Sequence, residues 1–243
     1  KVILDSAKTE FDQANFEDQK LDTSQNILAN LDALKSKLPQ ISYQNAQKEI
    51  DLILKGTNPD ISPIFADSSI QKGLAFVHDY TQYTPRSHYN KNSILRTYFR
   101  AMMWFGRVDY RTNNLDLTRD ALNIVNLIQQ TNSTESWQKI YDPTSFFVGQ
   151  SDDLGIYQYT QILKDLSIDK FPLTDDQVSL VQKQTEKSQG PQIMSSIVFG
   201  DSVFDTSKQD LQEKTKSFRF MGQRFTPDAF IFSSLTQGDE AAD

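Results

Sequence analysis

Hydrophobic residues recur along much of the chain at steps of three and four, the period that lines one face of an α-helix. Leu4, Ala7, Phe11 and Ala14 make one such stripe. Ile27, Leu31, Leu34 and Leu38 make a second, opened by the capping oxygens of Asp22, Thr23 and Ser24 and stopped by Pro39. A third runs from Ser42 through Tyr43, Ala46, Ile50 and Ile53, and Gly56 stands where a left-handed residue would close it. The short link at Leu38-Pro39-Gln40 predicts an antiparallel hairpin of the second and third helices. Between residues 56 and 90 the period fails. Asn58-Pro59-Asp60 and Ser62-Pro63 signal turns there, with one short extended piece at 75–77.

From Ser93 to Arg107 the pattern changes. Leu95, Tyr98, Phe99, Met102, Met103, Trp104 and Phe105 surround almost the whole helix, which predicts a rod buried at the centre of the fold. Further helices follow. Leu117, Ala121, Val125 and Ile128 form a stripe capped by Asp116 or Thr118, and a short helix at 136–141 ends at Asp142-Pro143, where Pro143 suits the first turn of another. Ser151 opens a helix carrying Leu154, Tyr157 or Gln158, Ile162 and Leu166, and Thr174-Asp175-Asp176-Gln177 is a capping box before Val178 and Val181, ended by Gly190-Pro191. The segments 193–199 and 218–225 read as strands or buried loops, and Thr226-Pro227-Asp228 opens a last helix through Leu235. The expectation is a mainly α fold: antiparallel helical hairpins around a buried central helix, with a few short strands or extended loops. One domain is expected over 1–243, with sub-regions at 1–56 and 75–235.

Composition removes several chemistries. The 243 residues include no cysteine, which excludes disulfides, thiolate zinc sites, iron–sulfur clusters and a cysteine nucleophile. Lys and Arg number 25 against 32 Asp and Glu, a net charge of −7 that argues against nucleic acid and anionic membrane as partners. No apolar run approaches the ~18 residues of a spanning helix, so no direct membrane insertion is expected. The chain opens at Lys1 rather than methionine and reads as part of a longer protein.

Candidate chemistry gathers in two places. The segment 79–89 carries Asp79, Arg86 and His88: the guanidinium suits an anionic group and the imidazole could move a proton near neutral pH. Arg107 closes the greasy helix, Asp152 and Asp153 are adjacent carboxylates, and Arg224 sits among aromatic residues. Each has a plainer use: loop tethering for Arg86 and His88, ion pairing for Arg107, helix capping for the aspartates. With His78 and His88 as the only imidazoles and no calcium-type loop, no metal is expected; with no phosphate-binding glycine loop or G-x-S-x-G elbow, no cofactor is either. Phe146, Phe147, Tyr157, Tyr159, Phe218, Phe220 and Phe225 could line a sugar-stacking groove or form core.

Four stretches carry a resemblance. They are Pro85-Arg86-Ser87-His88-Tyr89, Tyr98-Phe99-Arg100-Ala101-Met102-Met103-Trp104-Phe105-Gly106-Arg107, Ile140-Tyr141-Asp142-Pro143-Thr144-Ser145-Phe146-Phe147-Val148-Gly149 with Ser151-Asp152-Asp153-Leu154, and Phe218-Arg219-Phe220-Met221-Gly222-Gln223-Arg224-Phe225-Thr226-Pro227-Asp228. Together they resemble a large bacterial and archaeal family of usually exported proteins or lipoproteins whose activity is unassigned. The family pattern has Gly where Ser87 stands, so a role needing positive φ there is put in question. The resemblance implies an internal portion of a longer protein and supplies no catalytic residues.

Two functions are therefore expected. The first is a non-enzymatic, extracytoplasmic helical domain at the cell surface, binding other protein chains, the rest of its own protein or a glycan. The second is a carbohydrate-active hydrolase with a cleft lined by Arg, His and Asp; it rests on Arg86, His88, Asp152, Asp153 and Arg224 and requires His88, Arg86 and one of these aspartates to converge at an open pocket.

Overall fold

The computed structural model describes residues 39–65, 77–193, 212 and 214–236. Among the described residues the protein is mainly helical, as the periodicity predicts: seven α-helices and two short antiparallel strand pairs. The stripes at 4–14 and 22–38, and with the latter the first helix of the expected hairpin, lie outside the described residues, as do most of 75–77 and 193–199. The chain divides into two compact units, Lys1–Trp104 and Phe105–Asp243, a division that falls inside a helix.

In the first unit, helix α1 (Gln40–Lys55) ends as its sequence predicts: Gly56 takes φ +58° and its N–H donates to the Leu52 carbonyl. The turn signal at Asn58-Pro59-Asp60 instead enters strand β1 (Pro59–Ile61), which pairs with β2 (Val77–Asp79) so that Asp60 faces His78. Proline is tolerated at the start of such an edge strand because no ladder donor is needed there. Two 3₁₀ turns, Tyr80–Tyr83 and Ser87–Asn90, lead into α2 (Ser93–Arg107).

The predicted bounds of α2 hold, but its predicted place does not. Only Thr97 and Phe99 are buried along it, and the remaining positions are partly exposed. It is not the innermost rod. Arg96 and Arg100 stand one step of four apart and so share a face, and two guanidinium groups on one side do not suit a helix enclosed by apolar neighbours all round.

The most buried helix is α3 (Leu115–Gln130) in the second unit, where Leu117, Thr118, Ala121, Leu122, Val125 and Ile128 are all buried. Its stripe is as predicted, whereas its cap is Asn114, whose side chain accepts from the Leu117 N–H at 3.0 Å. It packs against α5 (Ile156–Asp165), α6 (Asp175–Glu186) and β3 (Tyr110–Arg111). Arg119 fastens it to the start of α6, donating to the Leu173 carbonyl at 2.8 Å and pairing with Asp175. The capping box of α6 forms as expected: Thr174 Oγ1 accepts from the Gln177 N–H at 3.3 Å and Gln177 Oε1 from the Thr174 N–H at 3.0 Å.

Two boundaries differ from the periodicity. Helix α4 (Thr134–Val148) runs straight through Pro143. Proline removes one ladder donor, and the Thr144 hydroxyl supplements the bonding nearby, donating to the carbonyls of Ile140 and Tyr141 at 2.9 Å each. Helix α5 begins at Ile156, not Ser151, because residues 151–154 are drawn into backbone pairing with the segment 217–224. That segment contains β4 (Ser217–Phe218), antiparallel to β3, and precedes α7 (Pro227–Thr236), whose start matches the Thr226-Pro227-Asp228 signal.

Candidate functional site

The seven candidate side chains fall into two sets, Asp79, Arg86 and His88 in the first unit and Arg107, Asp152, Asp153 and Arg224 in the second.

In the first unit Asp79 caps the turn that follows it, its Oδ1 accepting from the Thr81 N–H at 3.1 Å and the Thr81 hydroxyl at 2.6 Å. Arg86 is exposed and lies 5.8 Å over the Phe99 ring. His88 is also exposed, its ring 3.9 Å from that of Tyr89, and Tyr89 leans in turn on Tyr98 and Phe99. These contacts tie the loop to α2 through aromatic rings rather than through a proton-transfer pair.

The same unit holds a buried polar group that the sequence reading did not single out. Glu49 is buried on α1, accepting from the Ser62 hydroxyl at 2.6 Å and from the Trp104 indole at 3.3 Å. Burial raises its pKa above the ordinary carboxylate value, against the opposing pull of those hydrogen bonds. Burial, and after it the charge of the same carboxylate, push the Tyr80 phenol up as well. His78, also buried, shares a hydrogen bond of 3.1 Å between Nδ1 and the Tyr83 hydroxyl. The sequence held one signal of this: Glu49 lies four residues before Ile53, at the border of the apolar stripe.

In the second unit the stretches that carry the resemblance meet along 217–226. The Asp152 N–H donates to the Gln223 carbonyl at 2.8 Å, the Phe225 N–H to Gln150 at 2.8 Å, and the Arg219 N–H to Leu154 at 2.9 Å. The end of α2 joins them. The Met221 N–H donates to the Phe105 carbonyl at 3.2 Å, Arg219 Nη1 donates to the Gly106 carbonyl at 2.7 Å, and the Phe105 and Phe220 rings are 4.7 Å apart. From α4, the buried Trp137 indole donates to the Phe220 carbonyl at 3.0 Å.

The polar side chains are spent on this junction. Asp152 Oδ2 accepts from the Ile193 N–H at 2.7 Å. Asp153, 5% exposed, is ion-paired with Arg219 at 3.4 Å and accepts from the Gln223 N–H at 3.2 Å. Desolvation wins over the guanidinium and lifts the Asp153 pKa to about 6. Arg224 donates to the hydroxyls of Thr144 at 2.7 Å and Ser145 at 3.0 Å, with its guanidinium 4.2 Å over the Tyr141 ring. Arg107 closes α2 with its Nε buried and without a hydrogen bond.

Of the aromatic residues, Tyr159, Phe218 and Phe220 are core, whereas Phe146 and Phe147, 83% and 82% exposed, stand in solvent at the end of α4. Among the described residues no group of three or more His, Asp or Glu side chains is placed to hold a metal ion, and no helix is long and apolar enough to cross a membrane.

These contacts belong to a mainly helical protein in which, within the second unit, polar side chains from separate segments bind crossing loops to one another. The chain belongs to a family described as a protein of unknown function (DUF3160), whose model matches residues 8–242. No curated protein and no solved structure matches it.

Proposed function

We propose that the chain is a non-enzymatic, extracytoplasmic domain that binds another protein chain through the apolar edge at the end of α4. The observation that carries this reading is the exposure of Phe146, Phe147 and Val148 together. Adjacent aromatic side chains in water cost roughly 2–3 kcal/mol each relative to burial, and aromatic anchors of this kind dominate the energetics of protein interfaces. The edge is also rigidly mounted. Trp137 and Tyr141 bury the root of α4, and Gly149 at its end lies against the Phe225 carbonyl. From that junction α7 leaves with Ile231 and Leu235 exposed.

The polar residues support the same reading by what they do. Asp152 is held by a backbone N–H, Asp153 by Arg219 and a backbone N–H, and Arg224 by two hydroxyls and a ring. Each therefore has a scaffolding task. The cysteine-free composition and the likeness to exported proteins favour placement outside the cytoplasm.

The test is a paired comparison in which the chain and its Phe146→Ser/Phe147→Ser variant are immobilised at equal density and exposed to the envelope proteins of the host. A discrete protein retained by the parent and lost by the variant, with thermal stability unchanged, supports the reading. Equal retention by both, or saturable turnover of a glycan by the parent, overturns it.

A further inference from the structure

Residues 80–104 contain Arg86, His88, Lys91, Arg96 and Arg100 and not one Asp or Glu, in a chain whose net charge is −7. Helix α2 then places Arg96 and Arg100 on one face, four residues apart. Like charges at this spacing weaken a helix slightly, a cost that an opposing charge would relieve.

Within the first unit the neighbours supply little. Arg96 Nη1 donates to the Asn90 carbonyl at 3.1 Å, which orients it without neutralising it. The Arg100 Nε is buried and makes no hydrogen bond. Burial and the charge of Arg96 both press the Arg100 pKa downward, and no carboxylate among the described residues opposes them. A guanidinium stays protonated under such pressure, so the charge persists, with no carboxylate matched to it among the described residues. Arg86, held over Phe99 one residue before Arg100, adds a third guanidinium on the loop beside this helix.

We propose that Arg96 and Arg100, flanked by Arg86, form a binding site for an oxyanion, a phosphate or carboxylate group that guanidinium forks can grip in bidentate fashion. The site is independent of the apolar edge in the second unit. Binding there would neutralise paired charges that the described residues leave uncompensated.

The full chain is titrated with inorganic phosphate and, separately, with acetate, each at constant ionic strength against a chloride control. The readouts are the melting temperature and the arginine Nε–H resonances. The expected result is a saturable rise in melting temperature of a few degrees with one or both anions, together with a shift of the Arg100 resonance. Phosphate alone would identify a phosphoryl ligand and acetate alone a carboxylate one; either supports the site. In Arg100→Gln the affinity should fall tenfold or more, while its stability without anion equals or exceeds that of the parent, because an uncompensated charge has been removed. Should Arg100→Gln fail to fold, Arg100→Lys keeps the charge without the fork and should weaken the titration. No saturable shift with either anion, or a shift in the variant equal to that of the parent, overturns the proposal.

Discussion

Asp153 Oδ1 and Arg219 Nε face each other at 3.4 Å with both side chains almost wholly buried, yet the Nε forms no hydrogen bond. Desolvation by burial outweighs the pull of that guanidinium, and the Asp153 carboxyl is pushed up to about 6 from its ordinary 3.8.

That shift has a direction in stability. Between 3.8 and about 6 the folded protein holds a proton that the unfolded chain has released. The contribution of Asp153 is therefore complete at the acid end and is lost as pH rises through the folded value. Melting temperatures measured from pH 4 to pH 7 should show this decline, and Asp153→Asn should flatten it. A parent profile that rises across the window at this site, with the variant parallel to it, would contradict the assignment.

A similar argument applies to Glu49 in the first unit, with a direct optical reporter. Protonation of Glu49 changes what the Trp104 indole donates to. In a Trp137→Phe background, Trp104 fluorescence should titrate with a midpoint above the ordinary carboxylate value, and Glu49→Gln should abolish the step. Glu49→Ala should cost about 1–3 kcal/mol, because the Ser62 hydroxyl and the Trp104 N–H both lose an acceptor.

Ser87 adopts φ +54°, a left-handed conformation that side chains other than glycine resist. The family pattern resembled by this stretch has Gly there, and the structure shows that Ser87 keeps the conformation Gly would favour. Ser87→Gly should stabilise the protein by about 0.5–1 kcal/mol, the strain relieved less the extra freedom of the unfolded chain. Denaturant unfolding measures it, and a loss of stability would show that the Ser87 side chain contributes more than its strain costs.

Gly149 is the opposite case. With φ +127° and the Phe225 carbonyl oxygen occupying the place of a Cβ, it admits no side chain. Gly149→Ala should cost about 2–3 kcal/mol through backbone strain and displacement of Phe225.

Much of this architecture was legible in the chain. The stripe Leu117, Ala121, Val125 and Ile128, the Thr174–Gln177 box and the Gly56 stop are local, and local periodicity reports them faithfully. Ser151–Leu154 was not legible as a loop, because its backbone is committed to partners some 70 residues later, and no short window contains both. The burial of α2 was overestimated for a related reason: counting apolar residues around the helix gave too little weight to Arg96 and Arg100 sharing one side. The polar candidates were visible as residue types, but their uses became clear only with their partners. Asp153 needed Arg219, Arg224 needed Thr144 and Tyr141, and Glu49 was hidden at the edge of an apolar stripe.

If Phe146 and Phe147 meet another protein, as proposed, a photo-crosslinking side chain placed at position 147 in the intact protein, in its own host, captures it. A discrete protein adduct formed from position 147, and not from the exposed Lys139 two turns earlier on α4, is the result expected. Equal, diffuse labelling from both positions would contradict it.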